Sequence, residues 1–123
     1  MERTLQAIED TLQRILEKQE MRFEDLKEVI NSLEKSFSLL SQKWNLEILY
    51  TLFLRNSMGF GGLKKILGVN SRSLSDKLKT LTHYGYIQRT VQQGPPIRVT
   101  YSLSERGKNT VLLALPLLYY SSA

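Results

Sequence analysis

Arg72, Lys77, Lys64, Lys65 and Arg98 belong to a segment that is unusually rich in cations. Residues 36–123 carry eleven Lys or Arg against only Glu47, Asp76 and Glu105, a net of +8. Cations at that density attract polyanions, because each one placed at a phosphate releases condensed counterions. The alternative is a basic surface with no partner. Residues 1–35 have the opposite balance, six basic groups against nine acidic ones, a net of −3. Enzymatic chemistry has little to work with here. The basic segment offers His83 and three scattered carboxylates, which make neither a nucleophile–base set nor a metal cluster. The absence of cysteine removes disulfides, thiolate metal sites and thiol redox sensing together. The glycines around Gly59 and Gly61 lack the Gly-Lys-Ser/Thr of a phosphate loop and read as a turn. No catalytic residue, metal site or cofactor is expected.

The elements that must position these cations follow from periodicity. Residues 2–35 contain no Gly or Pro. Leu5, Ile8, Leu12 and Ile15, then Leu26, Val29 and Leu33, recur at helical spacing, with Gln19 and Arg22 interrupting the stripe and Leu16, Phe23 and Ile30 widening it. One helix of that length would span about 50 Å, too long to cover its stripe on a domain this small, so a second copy of the helix is the expected partner. Residues 36–56 predict a second helix with Leu40, Trp44, Ile48 and Leu52 as its ridge; Trp44 reads as core rather than as the wall of a ligand pocket. After a Gly-rich break come a short helix, Gly61 to Leu67, and a longer one capped by Asn70 and stopped at Gly85, with Leu74, Leu78 and Leu81 inward. His83 reads as a helix-end residue. The period then becomes two, through Tyr86–Val91 and Ile97–Leu103, with a Pro-stiffened tip between them. A last helix begins near Ser104 and is apolar on nearly every side from Val111 to Leu118, with Pro116 expected to end or kink it. Such a helix at a chain terminus calls for a second subunit to cover it.

The first twenty residues are charged throughout, and the longest apolar run, Val111 to Tyr120, is about half a membrane span. A cytoplasmic protein without membrane contact is expected. The fold class is mainly α with a small β-hairpin: a dimeric winged helix-turn-helix with a long N-terminal helix. Its parts are an amphipathic dimerisation helix (1–35), a DNA-binding domain (36–104) and a C-terminal dimerisation helix (105–123). Leu5, Ile8, Leu12, Ile15, Leu112 and Leu115 are the expected homodimer contacts.

The ordered series Lys43-Trp44, Ile48-Leu49, Phe60-Gly-Gly-Leu63, Leu74-Ser-Asp-Lys-Leu78, Gly85-Tyr-Ile-Gln-Arg89, Pro95-Pro96 and Val99-Thr-Tyr-Ser-Leu-Ser-Glu-Arg-Gly107 resembles the HxlR family of bacterial and archaeal regulators, over about residues 37–118. The resemblance implies a homodimer joined through its terminal helices, with the recognition helix and wing on double-stranded DNA. Many relatives sense oxidants through an N-terminal cysteine; this chain has none, so that mechanism does not transfer. Its effector is unknown.

Within the longer helix, the face opposite the leucines and the first turn present Ser71, Arg72, Ser73, Asp76, Lys77 and Thr80. A helix N-terminus in the major groove sets such residues on base edges while amides and hydroxyls hold phosphates. Arg72 suits a bidentate guanine contact or a phosphate. Asp76 either accepts from a cytosine amine or pairs with Lys77, Lys79 or Lys108, and pairing is the favoured reading. Gln93 and Arg98 in the wing suit phosphate or minor-groove contacts, and Lys64 and Lys65 suit the backbone. The leading function is a sequence-specific DNA-binding transcription regulator. A protein-docking winged helix and an architectural DNA coater are the alternatives.

Overall fold

A computed structural model describes residues 2–19 and 23–122, without the side chains of Leu16, Gln19, Phe23, Glu24, Leu118 and Ser122. The chain divides between Leu39 and Leu40 into two units. The first contains α1 (Glu2–Gln19) and nearly all of α2 (Phe23–Leu40). The expected helix over 2–35 is helical on both sides of residues 20–22, which lie outside the described residues, and its second part continues to Leu40. Arg22 lies outside the described residues, as do the side chains of Gln19, Leu16 and Phe23. In the single chain Leu5, Leu12 and Ile15 on α1, and Leu26, Ile30, Leu33 and Phe37 on α2, are all more than a third exposed; Ile8 is partly buried.

The second expected helix, 36–56, is also divided. Trp44 adopts a left-handed φ of 79°, and its N–H donates to the Glu47 carboxylate at 3.0 Å. A carboxylate three residues into a helix that reaches back to the cap defines a start, so α3 runs from Asn45 to Arg55. Trp44 thus stands outside the helix. The ridge predicted through Leu40 and Trp44 is replaced by Asn45, Ile48, Leu49 and Leu52, all buried on α3.

The rest of the second unit is β1 (Ser57–Gly59), α4 (Phe60–Leu67), α5 (Ser71–His83), β2 (Ile87–Gln92), β3 (Arg98–Leu103) and α6 (Glu105–Ser122). The expected hairpin is present, and β1 adds a third antiparallel strand in the order β1-β3-β2. Met58 pairs with Tyr101 and Gly59 with Thr100. Ile48, Leu49 and Leu52 of α3, Leu63 of α4 and Leu74, Leu78 and Leu81 of α5 are buried together with Ile87 and Val111. Each such side chain contributes about 1.5–3 kcal/mol by leaving water.

Two caps fix how the helices meet the wing. At the end of α5, Gly85 takes φ 82°, its N–H donates to the Thr82 carbonyl at 3.1 Å, and the Tyr86 N–H donates to the Leu81 carbonyl at 2.9 Å. That is a Schellman stop, sealed by buried Leu81 and Tyr86. At the start of α6, Ser104 Oγ accepts from the Gly107 N–H at 3.0 Å and donates to the Gly85 carbonyl at 2.6 Å. The Arg106 guanidinium stacks over the Tyr86 ring at 4.7 Å. Of the two outcomes expected at Pro116, ending the helix does not occur, for α6 continues to Ser122; proline removes only its own amide bond and can be tolerated within a helix as a kink. Leu112, Leu113, Leu115, Leu117, Tyr119 and Tyr120 on this helix are exposed. No helix among the described residues is long and apolar enough to cross a membrane.

Candidate nucleic-acid interface

α4, the turn at Gly68 and α5 form a helix-turn-helix. Gly68 enters the turn with φ 65° and donates its N–H to the Lys64 carbonyl at 2.9 Å. Val69 is buried beneath the turn. Asn70 then caps α5, its side-chain oxygen accepting from the Ser73 N–H at 2.8 Å, which satisfies one of the free amides of the first turn. These two caps hold the first turn of α5 clear of the core, with Ser71 and Arg72 exposed.

With Leu74, Leu78 and Leu81 buried, Arg72, Asp76, Lys79 and His83 form an exposed stripe of α5, spaced four, three and four residues apart. That is one helical face. The other α5 residues singled out from the sequence, Ser73, Lys77 and Thr80, are partly buried on a flank. Lys77 Nζ donates to Gln42 Oε1 at 3.0 Å, and the Thr80 hydroxyl donates to the Asp76 carbonyl at 3.0 Å. The favoured pairing of Asp76 is not found: among the described residues its carboxylate holds no ion pair, and Lys77 has turned to Gln42 instead.

Lys64 and Lys65 are exposed in the last turn of α4 and border a recess of about 520 Å³ completed by Gly61, Gly68 and Asn70. Cations at a helix C-terminus also complement its dipole. On the wing, Arg98 opens β3 opposite Gln92, and Gln93 begins the exposed tip. The sequence reading passed over Lys79, His83 and Arg89 as contacts. The helical spacing from Arg72 through Asp76 would have found the first two. Arg89 needs the strand register.

The architecture and chain can be set beside known proteins. The profile of HxlR-like helix-turn-helix proteins matches residues 39–118. A Bacillus subtilis protein named as the uncharacterized HTH-type transcriptional regulator YdzF is 38% identical over 77 residues, covering 62% of this chain and 71% of that protein. The structure of the reduced form of the transcriptional regulator YodB from B. subtilis matches the fold with a TM-score of 0.68 at 24% identity, over 73% of this chain and 88% of that one. The diamide-treated form of YodB gives a TM-score of 0.67 at 25% identity, over 74% and 90%. With the match spanning α3 to α6 and every element of the helix-turn-helix and wing, the chain belongs to the HxlR-like helix-turn-helix family.

Proposed function

We propose that the protein is a DNA-binding transcription regulator that acts as a homodimer on a pseudo-palindromic operator. The observation that carries this reading is the exposed face of α5, which presents Arg72, Asp76, Lys79 and His83 from the second helix of a helix-turn-helix. The relatives carry names of HTH-type transcriptional regulators, which supports the same assignment. In this reading Ser71, Arg72, Ser73, Asp76, Lys77 and Thr80 serve α5 in the major groove. Lys64, Lys65, Gln93 and Arg98 meet the backbone from α4 and the wing, and the chain is a cytoplasmic regulator rather than an enzyme.

The dimer reading rests on unburied apolar surface. Leu112 and Leu115 of α6 are 47% and 40% exposed in the single chain, as are Leu5, Leu12 and Ile15 of α1 at 43–53%. Leaving such side chains in water forfeits about 1.5–3 kcal/mol each, which a second copy recovers. A two-fold dimer places two recognition helices on half-sites about one DNA turn apart.

The test is selection of duplexes from a random pool, followed by binding titrations on the selected site and a scrambled one. A specificity ratio of about 10³ or more identifies a sequence-specific regulator. Equal affinities identify an architectural coater. Absence of binding to any duplex at low salt leaves the protein-docking alternative.

A further inference from the structure

The register of the wing places Arg89 on the same face of the ribbon as Ile87. Directly opposed residues of an antiparallel pair share a face, so Ile87–Leu103, Arg89–Tyr101 and Val91–Val99 form one face of the β2–β3 ribbon. Ile87, at the start of this face, is buried, while Arg89 and Val91 farther along it are exposed. Arg89 is therefore a guanidinium in a row of Ile, Val, Leu and Tyr. Across from it, α5 brings Ser75 and Thr82 on its flank, with Lys79 and His83 at the edge of its exposed face, and the two sides border a groove of about 530 Å³ floored by Leu78.

No Asp or Glu lines this groove. Among the described residues neither Lys79 nor Arg89 makes an ion pair or a side-chain hydrogen bond. Lys79 and Arg89 are both exposed where they line this groove, and like charges bordering one recess repel each other. An anion between them turns that repulsion into attraction. The donor set suits an oxyanion: the Arg89 fork can bond two oxygens at once, Lys79 adds a point charge, and the Ser75 and Tyr101 hydroxyls are further donors.

We propose that this groove seats a phosphate of the DNA backbone, clamped between Lys79 of the recognition helix and Arg89 of the wing. The inference rests on the DNA-binding reading above and deepens it. One phosphate held by both elements fixes the position of α5 in the groove relative to the wing, without reading sequence.

The test is a salt titration of the full chain on the selected operator and on a scrambled duplex. Lys79→Ala and Arg89→Ala are compared with Lys108→Ala, which removes the same charge from the exposed start of α6. Each groove variant is expected to weaken binding to both duplexes alike. Its slope of log affinity against log salt should be shallower by about 0.9 per lost phosphate in each subunit, about 1.8 for a dimer. Between about 50 and about 200 mM salt, the gap to wild type then closes by roughly twelvefold. Arg89→Lys should restore most of the slope, and Lys108→Ala should leave it unchanged. If the groove variants change the slope no more than Lys108→Ala, the clamp is refuted. A second arm titrates the protein with inorganic phosphate alone and follows the amides of Lys79 and Arg89 by NMR. Shifts there with an unchanged DNA slope would assign the groove to a small free anion and overturn the DNA clamp. If wild type binds no duplex at all, the DNA reading of the protein fails first and the clamp goes with it.

Discussion

A methyl group added at Gly107 tests the joint that holds α6 to the wing. A Cβ there would fall inside the van der Waals envelope of the Tyr86 carbonyl oxygen, with the Tyr86 carbonyl carbon at 3.0 Å and Leu103 Cδ2 at 3.2 Å. The same carbonyl oxygen accepts from the Ser104 N–H at 3.1 Å, and Ser104 Oγ caps the Gly107 N–H. Relief of the clash must move α6 away from backbone that has no freedom to yield, so the cap is lost with the contact. Overpacking costs about 1–3 kcal/mol and loss of a Ser cap about 0.5–2 kcal/mol. Helix propensity acts in the opposite direction, since Ala is better than Gly in a helix by up to about 1 kcal/mol. Gly107→Ala should therefore destabilise the protein by roughly 2 kcal/mol net. Because α6 carries Leu112 and Leu115 of the proposed dimer surface, self-association should weaken as well. Urea unfolding at fixed protein concentration measures the first effect, with exposed Asn109→Ala as the helix-propensity control. A Gly107→Ala protein as stable as wild type, or more so, would refute the close approach and leave propensity as the only term.

Three further outcomes are expected. Arg72→Ala should cost about 1–3 kcal/mol per half-site on the operator and little on scrambled DNA; equal losses on both in a binding titration would make Arg72 a phosphate contact. The double variant Leu12→Lys/Ile15→Lys should shift the mass seen by light scattering from two chains toward one, and an unchanged mass would move the dimer seam away from α1. The Tyr50 hydroxyl is buried with no hydrogen-bond partner among the described residues, and burial raises its pKa. Tyr50→Phe should accordingly be neutral or stabilising by up to about 1 kcal/mol in denaturant unfolding, whereas a clear loss would show that the hydroxyl has a hydrogen-bond partner in the folded protein.

Elements whose periodicity is decided locally were legible in the sequence. Leu74, Leu78 and Leu81 with the Asn70 cap and the Gly85 stop delimit α5 almost to the residue, because capping and amphipathic burial point the same way. The alternation of Tyr86–Val91 and Ile97–Leu103 marks the wing for the same reason. β1 was not legible: Ser57, Met58 and Gly59 have neither alternation nor β-branched residues and become a strand only by pairing with β3. The break before α3 was missed because Leu40, Trp44, Ile48 and Leu52 fit one helical ridge. Nothing in that spacing reveals a left-handed Trp44, which rests on the bond from its N–H to Glu47. The Ser-x-x-Gly start of α6 was found, but its reason was not. Glycine is required there by the approach of Tyr86, a residue from another element.

The face of α5 separates what a helical wheel can give from what it cannot. The three leucines fix the direction of the core and therefore its opposite, so Arg72 and Asp76 were identified correctly as outward-facing. The wheel treats the two flanks alike, and the tertiary fold does not. One flank turns Lys77 toward Gln42, ahead of α3; the other faces the wing and brings Lys79 to the groove shared with Arg89. On the strand, Arg89 shares a face with Ile87 and Val91, yet only Ile87 is buried, so strand alternation alone does not show that Arg89 borders the groove. Two exposed cations and no acid among the residues lining the groove are what support the proposed anion from outside the chain.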